Sequence, residues 1–411
     1  MQPPRTQVAT QETTADKQLA RRLSLPLLVF YGVGTILGAG IYVLIGKVAG
    51  AAGVFAPAAF LMSALIVCFS AYSYSRLSSR FPLSAGEAVY VREGLGSNRL
   101  ATLVGWAIVL TGVVSAATIS RGFAGYLDLF VPLPHNISIP ITVIVLSLIA
   151  CRRVLEAVGV AVVITLIELA GIAMVLTVGA PLVWQAPSLN LWPGSDWQVW
   201  QGISVGAFLA FYAYIGFEDM VNMAEEVKSP KRNMPLGIGM ALVLTTVLYV
   251  LVAVVAVAAL PLEQLSGSEA PFADIIAKNS LIPVSLIGLI SLIAVSNGAL
   301  VQIIMGSRVL YGMARRRMAP ALFGQLHPRY KTPVTATAIL GGAVLVFALW
   351  LPITSLAKLT SAIILGVFAL VNVSLLALEW RQGHRGWLAR LLLPAFGCSL
   401  CLAFLLVQIV V

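Results

Sequence analysis

Eleven apolar stretches divide this chain, and most of them are about 20 residues long or longer. A helix of about 20 residues can cross a hydrocarbon core of about 30 Å. Hydrophobic residues make up 59% of the chain and charged residues only 10%, which is too apolar for a domain that folds in water. Because helices satisfy their own backbone hydrogen bonds in lipid, we predict an all-α polytopic membrane protein. The predicted spans are 26–48, 55–75, 101–127, 138–151, 157–182, 199–223, 236–260, 283–311, 334–351, 357–378 and 389–410.

The distribution of basic residues predicts how these spans are oriented. With a cytoplasmic N-terminus, nearly all of the 26 lysine and arginine residues lie in the N-terminal tail, in cytoplasmic loops or at cytoplasmic span ends. The exceptions are Lys47, Arg121, Lys278 and Lys358. The fourth stretch has an apolar run of only about 14 residues, which would also fit a re-entrant segment. Without a span there, Arg152 and Arg153 would lie outside, so the charge pattern favours a crossing.

Other classes of protein fit the sequence less well. A net charge of +10 would suit a nucleic-acid binder, but the basic residues lie in short loops between spans, where they meet anionic lipid head groups. The three histidines lie outside the cores of the spans, and no metal-ligand spacing occurs, so we predict no enzyme, no cofactor and no metal. A channel or a receptor remains an alternative, although no filter-like sequence supports a channel.

Span 1 contains the sharpest local signal. Gly38-Ala39-Gly40 places two glycines around one small residue at mid-membrane depth. A glycine costs about 1 kcal/mol relative to alanine inside a helix, so these residues indicate an unwound segment that faces a cavity. Close helix packing through Gly34 and Gly38, which are four residues apart, is the alternative explanation.

Span 6 contains a second interruption at the equivalent place. One glycine and two carboxylates occur there, in Gly216-Phe217-Glu218-Asp219. Spans 1 and 6 each begin a group of five spans, and because five is odd the second group enters from the opposite side. Paired broken helices in inverted halves are typical of a transporter site. We therefore predict a five-plus-five inverted-repeat core plus an eleventh span, divided into a disordered cytoplasmic tail at 1–20, repeats at 21–182 and 183–380, and the eleventh span at 381–411.

Four motifs, in order, carry a resemblance to a known family. They are Gly-Val-Gly-Thr-Ile-Leu-Gly-Ala-Gly-Ile-Tyr at 32–42, Pro-Leu-Ser-Ala-Gly-Glu-Ala at 82–88, the segments 211–218 and 224–235, and Arg-Val-Leu-Tyr-Gly-Met-Ala-Arg at 308–315. Over about residues 21–380 the chain resembles the amino acid–polyamine–organocation superfamily, of the leucine-transporter fold, and is most similar to the cationic amino acid transporter-like bacterial permeases. The resemblance implies a secondary amino acid transporter of the bacterial inner membrane that works by alternating access. It implies proton-coupled symport, with amino acid/polyamine exchange as the alternative.

The resemblance also implies a substrate site. In such transporters the unwound part of span 1 binds the substrate carboxylate through backbone amides, and the break in span 6 receives the ammonium group on carbonyls. The matching residues here are Ile36, Gly38, Ala39, Gly40, Tyr212, Ala213, Ile215 and Gly216. Phe208 is a candidate gate or pocket ring, and core packing is an equal alternative for it.

Glu168 is the candidate for ion coupling. It lies about 11 positions into span 5, roughly 17 Å along a core of about 30 Å, and an acid at that depth is functional by default. We predict that Glu168 carries a proton, with Glu218 as the second candidate and a structural hydrogen bond to span 1 or Ser296 as the alternative. Ser296 and Asn297 stand where sodium-coupled relatives place ligands, so sodium is the alternative ion.

An inner gate and two departures from the family pattern complete the predictions. Glu225 and Glu226 could form an ion-pair gate with Arg308, although a solvated loop is the alternative. Some proton-coupled relatives carry a lysine at the position of Glu168. Cationic-type relatives carry a glutamate where this chain has Thr111, which weakens the case for a strongly cationic substrate.

Overall fold

The computed structural model describes residues 23–82, 86–152, 158–185, 191–224, 226–330, 332–382 and 387–410. Nearly all of them are helical, which confirms the all-α class, and their one isolated β-bridge joins Leu23 to Val227. The α-helices of these ranges are α1 (Leu25–Ala52), α2 (Ala56–Arg80), α3 (Gly86–Leu95), α4 (Asn98–Leu127), α5 (His135–Ala150), α6 (Val158–Gln185), α7 (Trp197–Ala213), α8 (Pro230–Ala259), α9 (Leu262–Gly267), α10 (Pro271–Asn279), α11 (Val284–Arg315), α12 (Val334–Trp350), α13 (Ile353–Gln382) and α14 (Trp387–Val410).

A helix lies at each of the eleven predicted spans. Among the described residues, 8 helical stretches are long and apolar enough to cross a membrane, and three shorter apolar helices cover Leu25–Gly38, His135–Ala150 and Val334–Trp350. The fourth predicted span is α5, which has 16 residues. Its side chains Ile141 and Leu148 are 51% and 62% exposed, which would be unfavourable in water but suits contact with lipid.

Both predicted interruptions are present. In α1 the backbone of Gly38 is not helical, with φ 12° and ψ −131°. The sixth span begins as α7, which ends at Ala213, turns through residues 214–217 and continues as a 3₁₀ helix at Glu218–Met223. The sequence signal of glycines within apolar spans therefore identified the correct two helices.

The first span is the centre of the bundle. α1 packs against α6, α7, α8 and α11. A Cβ atom added to Gly34 would overlap the Thr165 side chain of α6. Gly34 therefore allows α1 and α6 to pack closely, which was the alternative explanation for this glycine. At the other end of α1, Lys47 Nζ donates to the carbonyl oxygen of Ser266, 2.8 Å away, and joins α1 to α9.

The eleventh predicted span, α14, packs against the other helices of the bundle. α14 contacts α13 and α2. At that contact Ser73 Oγ donates to Asn372 Oδ1 over 2.5 Å, and Asn372 Nδ2 donates to Ser70 Oγ over 3.0 Å. The Ser70 hydroxyl is also 3.5 Å from the sulfur of Cys401 in α14. This polar chain links three helices in an otherwise apolar interface.

The inverted repeat remains a prediction, and its topology can be measured. A reporter fused after Arg153 is expected to be cytoplasmic, and one inserted between residues 186 and 196 is expected to be external, because α6 separates the two positions. Accessibility of single introduced cysteines to a membrane-impermeant reagent provides the measurement. If both positions were on one side, the orientation of every later span and the inverted repeat would be wrong.

Candidate functional site between the two broken helices

The two interruptions face one cavity. It contains about 400 Å³ of empty volume, part of which is open to solvent. Seven of the predicted residues line it: Ile36, Gly38, Gly40, Tyr212, Ala213, Ile215 and Asn297. The remaining lining residues are Gly34, Thr35, Ser115, Ile119, Gly298, Val301 and Gln302. Spans 1 and 6 therefore form one wall of the cavity, and α4 and α11 form the other.

Gly216 lets the two breaks approach each other. Its φ of 128° is a conformation that residues with a Cβ atom rarely adopt. A Cβ atom here would lie 2.7 Å from the carbonyl carbon of Thr35 and 3.2 Å from the amide nitrogen of Ile36. The Gly216 N–H donates to Glu218 Oε2 over 2.8 Å. Gly216 thus lies behind the cavity and holds the turn of span 6 against span 1.

A tyrosine of α8 joins both broken spans. Tyr249 is fully buried, and its Oη is 2.6 Å from the carbonyl oxygen of Ile36 and 2.8 Å from that of Ala213. A phenol has one proton, so the hydroxyl shares it between the two carbonyls or donates to one of them at a time. Ile36 precedes the break in α1 and Ala213 ends α7, so this contact stabilises carbonyl groups that interrupted helices leave without partners.

The buried carboxyl group of Glu168 lies next to this arrangement. Glu168 is 0% exposed, and within the described part of the chain neither carboxyl oxygen has a hydrogen-bond partner. The side chain of Asn297, which lines the cavity, is close enough to interact with the carboxyl group. The backbone carbonyl of Glu168 accepts a hydrogen bond from Tyr42 Oη over 2.5 Å, which fixes α6 against α1. A carboxyl group placed in this way is better accommodated protonated than charged.

Three predicted residues contribute less directly. Phe208 is buried and its ring packs edge-on against Phe404 of α14, with ring centroids 5.5 Å apart, so its placement favours core packing. The Ser296 hydroxyl donates to the carbonyl of Ile293 within α11, over 3.0 Å. Ala39 follows Gly38 in the break, and its side chain lies outside the described part.

The predicted inner gate is partly described. Glu225 lies outside the described residues. The backbone oxygen of Glu226 accepts from the Leu23 N–H over 2.9 Å, so the segment after span 6 pairs with the start of span 1. Arg308 is exposed on α11, and the charges of Asp219, Arg308 and Glu226 all act on the hydroxyl of Tyr31. Tyr31 of span 1, which the sequence interpretation did not single out, therefore lies within the electrostatic influence of the described gate residues.

Glu218 does not line this cavity. It lines a second, adjacent cavity together with Glu87, Thr111 and Asp219. Burial raises the pKa of Glu87, which belongs to the short helix α3, to about 7. The position of Thr111, where cationic-type relatives carry a glutamate, thus faces acids supplied by other helices.

The sequence analysis did not identify several residues of the site. Ser115 accepts a hydrogen bond from Tyr212 Oη on its carbonyl over 3.1 Å, and the two hydroxyl groups are 2.9 Å apart. Gln302 of α11 and Tyr249 of α8 were missed as well. Each is a polar group in the middle of an apolar span, which is the signal that could have found them, because such groups need buried partners in lipid.

The fold and this cavity define a polytopic membrane protein with a central cavity between two interrupted helices. The family model described as "Amino acid permease" matches residues 23–411. The chain therefore belongs to the amino acid permease family, within the amino acid–polyamine–organocation superfamily.

Named relatives agree with this assignment. The vacuolar cationic amino acid transporter 2 of Arabidopsis thaliana is 30% identical over 389 residues, which cover 88% of this chain and 60% of the relative. The branched-chain amino acid permease BcaP of Bacillus subtilis is 28% identical over 398 residues, covering 90% and 83%. The methylthioribose transporter of the same species is 28% identical over 415 residues, covering 95% and 88%. The chain spans about three fifths of the length of the plant relatives it matches.

Substitutions of Gly38 and Gly40 are expected to have different effects on stability and on ligand binding. A Cβ atom at Gly40 would lie 2.5 Å from the Cα atom of Ala213, so Gly40→Ala should lower stability by about 1–3 kcal/mol. At Gly38 the nearest atom is the Gly298 Cα at 3.9 Å, so the side chain of Gly38→Val should fill the cavity rather than overlap neighbouring atoms. Melting temperature and ligand-induced stabilisation measure the two effects. Gly239→Ala, where no atom lies within 4 Å, is the matched control, and equal behaviour of all three variants would contradict this assignment.

Removing the hydroxyl group of Tyr249 should affect both stability and binding. Tyr249→Phe leaves the carbonyls of Ile36 and Ala213 without this donor, so a loss of about 1 kcal/mol is expected. Ligand affinity should change as well, because both carbonyls belong to residues of the cavity lining. Tyr126→Phe is the control, since that hydroxyl group donates to the Tyr42 carbonyl away from both breaks, over 2.7 Å. Unchanged ligand affinity in Tyr249→Phe would exclude a positioning role.

Proposed function

We propose that this protein is a secondary active amino acid transporter that works by alternating access. The observation that carries the proposal is the cavity lined by the backbone of both interrupted spans, at Gly38 and at Ala213. Interrupted membrane helices that face a central cavity are the usual form of a transporter binding site. A channel or a receptor has no comparable need for two interrupted helices that face one cavity.

The chemistry of the lining fits a zwitterion. The part of α1 that begins after Gly38 presents a helix N-terminus, whose amide groups favour a carboxylate. α7 ends at Ala213, and carbonyl groups at a helix C-terminus favour an ammonium group. The other lining residues are small or apolar, apart from the polar residues Thr35, Ser115, Tyr212, Asn297 and Gln302. An amino acid with its two charged groups between the breaks uses all of these features.

Relatives define which substrates should be tested first. Their names specify cationic amino acids, branched-chain amino acids and methylthioribose. Purified protein should therefore be screened by thermal shift against all amino acids, polyamines and methylthioribose. A ligand at 100 times its dissociation constant adds about 2.7 kcal/mol to the free energy of unfolding. Stabilisation by methylthioribose but by no amino acid would overturn the substrate class while leaving the transporter proposal intact.

Counterflow distinguishes transport from a pore. In proteoliposomes loaded with the best ligand of the screen, uptake of labelled ligand should accelerate relative to empty vesicles, because an alternating site returns loaded. Gly38→Val is expected to abolish this uptake, since the added side chain occupies the cavity. Uptake that trans ligand does not accelerate would indicate a channel.

We further propose that transport is proton-coupled symport through Glu168. The support is a fully buried carboxyl group whose described neighbour is the side-chain amide of Asn297, a residue that lines the cavity. Holding a charge at this depth without a partner costs on the order of 3 kcal/mol, so the outward-open state favours the protonated acid. Release of the proton on the inner side would then accompany release of substrate. Glu218 is the second candidate, and sodium binding near Ser296 and Asn297 is the alternative coupling.

Glu168→Gln tests this coupling because it imitates the protonated acid. The variant should keep ligand binding and exchange but lose accumulation driven by an inward proton gradient. Glu263→Gln, an exposed position on α9, is the matched control for loss of one carboxylate. Accumulation by Glu168→Gln under the proton gradient would place the proton elsewhere, with Glu218→Gln as the next variant. Accumulation that follows a sodium gradient instead would support the alternative ion.

A further inference from the structure

A second cavity lies next to the first, on its predicted cytoplasmic side. Gln302 lines both of them. On α4, Ser115 lines the first cavity and Thr111, four residues earlier, lines the second. On α11, Val301 lines the first cavity and Val309, eight residues later, lines the second. At a rise of 1.5 Å per residue, this displacement is roughly 6–12 Å toward the end of the bundle where α4 begins and α11 ends. That end is the predicted cytoplasmic side.

Three carboxyl groups from two separate segments meet in this second cavity. Glu87 comes from the first turn of α3, and Glu218 and Asp219 come from the 3₁₀ helix of span 6. Their residues are only 5%, 5% and 9% exposed, respectively. Buried acids that face each other repel when charged, so the group must be neutralised by protons or by a cation.

The hydrogen bonds of these acids are incomplete. Glu218 accepts from the Gly216 N–H, but Asp219 Oδ2 has no hydrogen-bond partner among the described residues. The hydroxyl group of Thr111 donates to the carbonyl of Ala107 over 2.9 Å, so it offers the cavity an acceptor and not a donor. A buried acceptor with no donor carries a penalty that a ligand with N–H groups would remove.

We propose that this second cavity is a transit subsite that binds the ammonium group of the substrate between the first cavity and the cytoplasm. The proposal rests on the proposed function, because every amino acid brings one ammonium group. The ammonium group first contacts the carbonyls at the end of α7 and then moves past Gln302 to Glu87, Glu218 and Asp219. The acids thereby provide a partner for the ammonium group as it leaves the first cavity.

The hydrogen-bonding character of the ligand follows from the lining. Trimethylammonium has no N–H group to donate to the acids of the cavity, whereas a primary ammonium group has. A primary ammonium group has three N–H donors and no acceptor, and ionised carboxylates are acceptors only. A metal ion such as Na⁺ has the same charge but donates no hydrogen bond, so the experiment includes it as a separate arm.

The occupancy of the subsite should depend on pH. Glu87, whose pKa is near 7, becomes neutral as the pH falls below that value and then attracts a cation less strongly. Glu218, Asp219, Tyr74 and Tyr90 all interact with Glu87, so the titration belongs to the cluster. Ammonium binding is therefore expected to weaken between pH 8 and pH 6.

The direct test is a thermal-shift titration of the purified full chain with n-propylammonium. Choline, which has no N–H donor, and Na⁺ are the comparison cations at equal ionic strength. The expected result is stabilisation by n-propylammonium alone, weaker at pH 6 than at pH 8. Stabilisation by Na⁺ alone would make this an inorganic cation site, and no stabilisation by any cation would mean that the acids are simply protonated; either result overturns the proposal.

Two variants locate the binding. Asp219→Asn and Glu87→Gln preserve the shape of each side chain, and each should weaken n-propylammonium binding about tenfold. Glu263→Gln on α9 is the matched control and should bind as the wild type does. If Asp219→Asn does not fold, Glu87→Gln decides the question alone. Wild-type affinity in every variant that folds would move the ammonium site back to the first cavity.

A transport measurement separates this proposal from the proposed function. In proteoliposomes, Glu87→Gln should leave the affinity for external substrate unchanged but slow turnover, because only release toward the inside uses the subsite. Wild-type turnover in Glu87→Gln would overturn the transit role while leaving the transporter proposal intact. If the wild type transported no amino acid at all, the proposed function would fail and the transit role with it.

Discussion

A membrane helix can be interrupted only where protein groups replace the hydrogen bonds that the break removes, because lipid offers none. In this protein the two breaks pack against each other. Gly216 brings the turn of span 6 against the backbone of Thr35 and Ile36, and Tyr249 places one hydroxyl group between carbonyls of both spans. The cavity, its polar backbone and its position at the centre of the bundle all depend on this mutual support.

The shared hydroxyl group also suggests how binding and movement are linked. One proton serves two acceptors, the carbonyls of Ile36 and Ala213, so any displacement of span 1 against span 6 changes which carbonyl is satisfied. A substrate ammonium group near Ala213 would compete for the same oxygen. The energy difference between two such arrangements is on the order of one hydrogen bond, about 1 kcal/mol, which is small enough for a ligand to reverse.

Charged groups lie at three levels along the proposed pathway. Glu168 lies beside the first cavity, Glu87, Glu218 and Asp219 lie in the second, and Glu226 and Arg308 act electrostatically on Tyr31 toward the predicted cytoplasmic end. Negative groups are therefore most numerous in the second cavity. A proton on Glu168 and an ammonium group on the inner acids would each compensate a buried carboxylate, so coupling and release use the same electrostatic principle.

The sequence by itself determined the membrane class, a helix at each of the eleven predicted spans and the two helices that break. Hydrophobic length and glycine content are local properties that lipid enforces directly. It also placed Gly38, Gly40, Tyr212 and Ala213 at the cavity. Tertiary structure alone decided that Phe208 packs against Phe404, that Gly40 contacts Ala213, and that Tyr249 and Ser115 meet the broken spans. Helices far apart in sequence supply these partners, and the apolar periodicity of a span surrounded by lipid and other helices does not show which face meets which neighbour.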